Sequence, residues 1–455
     1  MVKARTSEPG RTPVAPVASK NPNGGERGGN TAAPSAPQPT DLLERVLDRG
    51  NLNRAWRRVK ANGGAPGIDG MTVEAFPEWA RVNWAPIRQA ILTGTYRPSP
   101  VRRVEIPKAS GGKRPLGIPT VTDRVIQQGI LQVLGPMWDP GFSESSFGFR
   151  PGRNAHGAVK QVQGLIRTGR RWAVDIDLRK FFDTVDHRIV MSRLARKIEG
   201  QPLLRLIGRY LRAGVMIDGH IEPTREGVPQ GGPLSPLLAN IVLDDLDRML
   251  DQRGHAFARY ADDFVILVRS ERAAQRVMAG VCTFLERRLK LRIHTGKSRI
   301  VRGSQLDYLG FCFARGRIRL THEALLNFKR ELRWWTGRHW FVSMDVRLAK
   351  LRSYVQGWMN YYGLSGVYRD WPGLDDWLRR RIRMCYWVMW KRPRPRIRNL
   401  RALGVPIRQA VGLGRSSLGS WKCARLLGFA MSKSWLEKQG LICLADDWWR
   451  CAPIR

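Results

Sequence analysis

Across 455 residues no apolar run approaches the roughly 18 residues that a membrane-spanning helix needs. The chain does not open on the basic, apolar and small-residue layout of a signal peptide, and a soluble cytoplasmic protein is expected. Cysteine is scarce, six residues at 282, 312, 385, 423, 443 and 451, with no Cys-x-x-Cys pair. That spacing argues against a zinc site or a disulfide framework and for reduced thiols. The seven histidines are scattered, as surface or packing residues are. The first forty residues have few large apolar side chains and are rich in Pro, Gly, Ser, Thr and Ala, so a disordered tail is expected over 1–40. Negative charge is also short: 38 Asp and Glu stand against 78 Lys and Arg, a formal balance of +40, and no acidic residue occurs from 377 to 436. Such an imbalance points to a polyanionic partner, nucleic acid first and an anionic membrane surface second.

The chain is long enough for two or three domains, and its 43% hydrophobic content suits a globular core. Tyr260-Ala261-Asp262-Asp263 lies between the apolar stretches 256–258 and 264–268, which places two carboxylates at the tip of a predicted β-hairpin. Adjacent carboxylates at the end of buried strands repel each other, and a divalent cation held for phosphoryl transfer is the usual reason to keep them. Upstream, Val174, Ile176 and Leu178 alternate with Asp175 and Asp177, the period of a strand with one apolar face. A carboxylate from that strand, laid beside the hairpin, completes a two-metal site. Alternation leaves open which of Asp175 and Asp177 is the ligand, since both share a face. Between these segments, Gly227-Val-Pro-Gln230-Gly231-Gly232 leads into Ser235-Pro236 and an apolar helical stripe, so a helix is expected with Ser235 as N-cap and Pro236 in its first turn.

These segments resemble the palm motifs of reverse transcriptases, specifically those encoded by bacterial group II introns. The resemblance implies Asp177 rather than Asp175, because an aromatic residue, here Phe182, follows the catalytic Asp by five positions and packs under the sugar of the incoming nucleotide. Asp177, Asp262 and Asp263 are then the catalytic carboxylates that bind two Mg²⁺. Residues 97–154 resemble the fingers, and the family pattern assigns the nucleotide's triphosphate to Lys108 and Arg114 on a basic hairpin. Arg150 and Arg153, in Ser145-Ser-Phe-Gly-Phe149-Arg150-Pro-Gly-Arg153, are expected to reach template phosphates. Gln230 is expected against the nucleotide or template base, Lys297 near the departing pyrophosphate, and Phe311 in palm packing.

After about residue 322 the pattern changes to amphipathic helices crowded with Trp and Arg. Leu351, Tyr354, Val355 and Trp358 form one stripe, and Leu374, Leu378, Ile382 and Cys385 another. Fifteen Lys and Arg over 377–436 without a counter-charge favour nucleic-acid phosphates. Arg379, Arg380, Arg383, Lys391, Arg392, Arg394 and Arg396 are the expected RNA- or DNA-binding residues. Tyr354-Val-Gln-Gly-Trp358-Met-Asn-Tyr361-Tyr362 with 374–391 resembles the maturase region, the thumb of group II intron proteins. No paired-cysteine endonuclease segment follows it.

The resemblance implies an α+β right-hand polymerase with fingers and palm over 41–320, an all-helical thumb/maturase domain over 321–398 and a basic C-terminal extension over 399–455. Its implied work is RNA-directed DNA synthesis with deoxynucleoside triphosphates on a primer, binding of group II intron RNA to promote splicing, and intron mobility into target DNA, in a bacterial, nucleoid-associated setting. Two alternatives stay open: a domesticated relative serving DNA repair or phage defence, and an RNA-binding splicing factor with a vestigial polymerase site.

Overall fold

The computed structural model describes residues 41–107, 112–365 and 371–451. The expected N-terminal tail and Lys108 lie outside the described residues. The chain divides after Leu309 into two compact units.

The first unit opens with α1 (Leu42–Leu47), α2 (Arg49–Asn62) and α3 (Phe76–Leu92). Asp41 caps α1 through a bond from the Leu43 N–H, and α2 stops at Gly63, which adopts φ 59°. Strands β1 (Val101–Pro107) and β2 (Lys113–Ile118) form the expected basic hairpin, with Ile106 opposite Arg114. Next come α4 (Val121–Trp138), α5 (Ala155–Arg167), β3 (Trp172–Ile176), α6 (Phe181–Thr184), α7 (His187–Leu194) and α8 (Gln201–Leu211). The short strands β4 (Val215–Ile217) and β5 (His220–Glu222) extend the first sheet to the order β2-β1-β4-β5. Helix α9 (Ser235–Gln252), β6 (Ala256–Tyr260), β7 (Asp263–Val268), α10 (Glu271–Arg287) and β8 (Arg299–Arg302) complete the second sheet, ordered β6-β7-β3-β8. All its pairings are antiparallel. Leu238, Ile241, Val242, Leu246 and Leu250 of α9 join Val174, Ile176, Phe264 and Ile266 in one buried core. Each such side chain contributes about 1.5–3 kcal/mol through burial, which makes the sheet a rigid platform for whatever stands at its end.

The second unit begins with the hairpin Phe311–Ala314 and Arg317–Leu320, then α11 (His322–Trp335), α12 (Met344–Tyr362) and α13 (Trp371–Met389). Shorter helices follow: α14 (Pro393–Ala402), α15 (Ile407–Gly414), α16 (Ser420–Leu426), α17 (Lys433–Lys438) and α18 (Leu444–Cys451). Leu351 and Val355 of α12 and Leu378 and Ile382 of α13 are fully buried, as their spacing predicts. The Phe328 and Trp358 rings stack at 4.1 Å between α11 and α12.

One expectation is corrected. Helix α9 begins at Ser235 itself, with Leu234 at the cap position and no side-chain cap; the Ser235 hydroxyl instead donates to the Pro229 carbonyl at 2.6 Å and ties down the preceding loop. Phe311 is fully buried and packs against Tyr361 at 5.6 Å and Tyr362 at 5.4 Å. Among the described residues no helix is long and apolar enough to cross a membrane.

Candidate active site

β6 and β7 pair up to Tyr260 opposite Asp263, which leaves Ala261 and Asp262 as a two-residue turn. Ala261 takes φ 58°, the left-handed conformation that tight hairpin turns require. β3 pairs with β7 as far as Ile176 opposite Phe264, so Asp177, one residue on, leaves the sheet at the end where Asp262 and Asp263 stand. The backbone of Asp177 is fixed from the other side: its carbonyl accepts from the His294 N–H at 2.8 Å and its N–H donates to the Ser298 hydroxyl at 3.1 Å.

Burial and neighbouring charge disturb the titration of Asp262 and Asp263. Crowding by protein, then the charges of Asp262, Asp177 and Asp175, push Asp263 up to about 7. Its side chain still reaches solvent, which screens part of that repulsion. Asp262 is also raised, by desolvation first, while Arg114 pulls it back. The triad's oxygens do not gather as closely as those of Glu437, Cys443 and Asp446, which lie within 4.8 Å of one another in the second unit and hold Lys433 at 3.7 and 3.6 Å from the two acids. An all-carboxylate donor set suits a hard divalent cation. Asp175 is bonded to Arg299 at 3.2 Å. Among the described residues the one cation paired with Asp177 is the exposed ammonium of Lys297, at 3.5 Å.

The glycine-rich loop is held between fingers and palm. Gly227 N–H donates to the Val185 carbonyl and Val228 N–H to the Phe182 carbonyl, at 2.8 and 2.6 Å. Gly117 N–H of β2 donates to the Gln230 carbonyl at 2.7 Å. Gly231 has φ 123°, and a Cβ there would sit 2.4 Å from the Gly117 oxygen, so no other residue fits. Phe182, half-buried and edge-on to Phe181 at 5.2 Å, and Gln230, whose side-chain amide bonds to no described residue, are therefore carried on one connected backbone unit. Arg114 is exposed on β2 and lies within the electrostatic reach of Asp262 and Asp263.

The expected nucleic-acid contacts divide. Arg150 is buried, and its guanidinium is spent on Asp139 at 2.7 Å and on the carbonyls of Asp139, Ser143 and Ser146. It is a clamp within the fingers, and the expectation that it reaches phosphates is corrected. Arg153 is turned onto Glu144. Arg380 stacks on Trp421 at 4.0 Å and donates to its carbonyl, and Arg383 donates to the Met431 carbonyl at 2.9 Å; both join α13 to the chain beyond it. Arg379 pairs with Asp376. Lys391, Arg392 and Arg394 are exposed, and Arg396 lies over Trp387 at 4.4 Å. None of these four has a carboxylate partner among the described residues. Sequence reasoning passed over Arg259 and Asp247, a fully enclosed ion pair directly behind the turn, and Phe149, an exposed ring at φ 58° lying 6.4 Å from Tyr260. The charge of Arg259 beside the apolar strand β6 was the available signal.

Residues 106–313 match the family described as reverse transcriptase (RNA-dependent DNA polymerase), and residues 325–404 match the group II intron, maturase-specific domain. Protein YkfC of Escherichia coli (strain K12) is 35% identical over 299 residues, which cover 57% of this chain and 78% of that protein. The group II intron-encoded protein LtrA of Lactococcus lactis subsp. cremoris is 39% identical over 208 residues, 45% of this chain and 34% of LtrA, so the chain spans about a third of that relative. A chain of the partial Cas6-RT-Cas1–Cas2 complex superposes with a TM-score of 0.36 at 25% identity, covering 54% of this chain and 43% of that one.

Proposed function

Because the chain belongs to the reverse transcriptases encoded by group II introns, RNA-directed DNA polymerases with a maturase domain, we propose that it extends a DNA primer on an RNA template at the β6–β7 turn. Its second role, in this reading, is to bind the intron RNA that encodes it and steady the folded ribozyme. The reading is carried by the meeting of Asp177 with Asp262 and Asp263 at one end of a rigid sheet, within reach of Arg114. Asp177, Asp262 and Asp263 would hold two Mg²⁺, which when bound supply Lewis acidity at the primer hydroxyl and the departing pyrophosphate. Arg114 grips the triphosphate by charge-assisted bonds, together with Lys108 outside the described residues. Lys297, beside Asp177, offers charge or a proton to the pyrophosphate. Gln230 reads the nucleotide or the template base, and Phe182 underlies the sugar.

Splicing of RNA transcribed from the gene and its flanks, at low Mg²⁺, tests the second role. Acceleration by the protein that survives Asp262→Ala is the expected result. Absence of acceleration with polymerisation intact would replace this reading with an intron-free relative working in repair or defence. For the first role, Phe182→Ala should lower the preference for deoxy- over ribonucleotides about 10- to 100-fold, the scale of removing one element of shape from a pocket. Single-nucleotide incorporation with each substrate measures it, and an unchanged ratio would remove Phe182 from the sugar site.

Metal binding should depend on pH. Asp263 takes up a proton on folding, because its folded-state pKa of about 7 stands above the ordinary carboxylate value. Its contribution to the stability of the metal-free protein is therefore present at low pH and lost as pH rises through about 7. A divalent ion needs the ionised form. Mn²⁺ affinity should rise from pH 6 to 8, with close to one proton released below pH 7 and little above 8. Calorimetry in buffers of different ionisation enthalpy reads the proton count, and Asp263→Asn should abolish the release.

A further inference from the structure

Arg259, near the end of β6, is 0% exposed, and so is its partner Asp247 on α9. Every N–H of the guanidinium is engaged. Nε lies 2.7 and 3.0 Å from the two Asp247 oxygens, and Nη2 donates to Asp247 at 2.5 Å and to the Ser146 hydroxyl at 2.8 Å. Nη1 donates to the Asn240 side-chain oxygen and to the Ala261 carbonyl, both at 2.9 Å. Ala261 is the left-handed residue of the turn, and its carbonyl belongs to the peptide that begins Asp262. Gly148 lies against the same turn: its carbonyl accepts from the Asn240 amide at 2.8 Å, and a Cβ on it would lie 2.2 Å from the Ala261 nitrogen. Backbone bonds lock the two segments together, Phe147 N–H to the Arg259 carbonyl and Arg259 N–H to the Ser145 carbonyl, each at 2.8 Å.

A buried ion pair is a poor source of net stability, since two enclosed charges lose their water. This one also sends an N–H to the peptide between Ala261 and Asp262. We propose that Arg259 is a positioning residue that sets the orientation of that peptide, and through it the Asp262 carboxylate, with Asp247 and Asn240 as its frame and Gly148 as a close backbone contact of the turn. The inference rests on Asp262 being a metal-binding carboxylate. Lysine at 259 would keep the charge opposite Asp247, yet one ammonium cannot span Asp247, Asn240, Ser146 and Ala261 together. Alanine at 148 would press directly on the Ala261 backbone and leave the ion pair whole.

Three readouts on the full chain test it: hydrogen exchange of the 260–263 amides in metal-free protein, Mn²⁺ binding by electron paramagnetic resonance without nucleotide, and steady-state primer extension. Arg259→Lys and Gly148→Ala should each speed exchange at the turn but not in β3. Each should weaken Mn²⁺ binding about 10-fold and lower kcat about 30-fold with KM for the nucleotide changed less than about 3-fold, the cost of a misplaced group rather than of weaker nucleotide binding. Asp262→Asn is the control for the underlying reading: if it leaves Mn²⁺ binding intact, the metal assignment fails. If it weakens binding while exchange and Mn²⁺ affinity stay at the parent level in both other variants, Arg259 is merely structural. Should Arg259→Lys not fold, Gly148→Ala decides, because a turn that tolerates the added methyl with unchanged exchange and Mn²⁺ affinity overturns the proposal.

Discussion

Asp262→Asn should lower the rate of deoxynucleotide addition by at least about 10³-fold, the upper scale for removing one charge-stabilising group from a polar active site. The same substitution should leave the metal-free protein as stable or slightly more so. Asp262 is raised by desolvation and by the charge of Asp177, so neutralising it removes a repulsion while the Asn side chain keeps the shape. Loss of activity with a raised melting temperature separates a functional carboxylate from a structural one. Asp177→Asn should behave alike. Asp175→Asn should stay within a few-fold of the parent, because Asp175 is engaged by Arg299 at 3.2 Å, and losing a partly exposed ion pair costs about 0–1 kcal/mol. Primer extension on an RNA template, with melting curves for all three variants, decides the matter. Retained polymerisation in Asp177→Asn with loss in Asp175→Asn would invert the assignment.

Affinity for RNA should fall about 10³- to 10⁵-fold between 50 and 200 mM monovalent salt, the range for a protein neutralising six to ten phosphates. Residues 391–425 contain ten Lys and Arg and no Asp or Glu, and among the described residues none of the ten lies in an ion pair. Unpaired exposed cations keep their full charge for phosphates, and each counterion released adds to the salt slope. Replacing Arg392, Arg394 and Arg398 with Gln should reduce the slope of log affinity against log salt by about one for each phosphate no longer neutralised, while Arg150→Gln should alter stability rather than slope. Filter binding across a salt series distinguishes these outcomes, and a slope untouched by the triple substitution would place the RNA elsewhere.

The palm was legible because its chemistry is written in short segments. Alternation through residues 174–178 and the acidic pair between two apolar runs defined strands, turn and carboxylates together, and the described structure has both strands in one sheet. The stripes of α12 and α13 were likewise buried where their period placed them. What failed was partner choice. Ser235 looked like a cap and holds the Pro229 carbonyl. Arg150, Arg380 and Arg383 looked like free cations and instead tie loops and helices within their own units. Arg259 drew no attention, although it encloses the only described ion pair with both side chains at 0% exposure.

By itself, then, the sequence determined the kind of chemistry, the strand and helix periods, the order of the motifs and the overall positive field, since each is set by residue type over spans of a few positions. Tertiary structure alone decided which cation each carboxylate meets, which arginines lack a carboxylate partner among the described residues, and how the Ala261–Asp262 peptide is held. Those outcomes depend on burial and on groups far away in the chain: Ser146 is 113 residues from Arg259, Gly148 is 92 from Asn240, and Arg299 is 124 from Asp175. A charge chooses its partner by the water it loses and the donors that folding brings near, and neither quantity exists until the chain has closed around it.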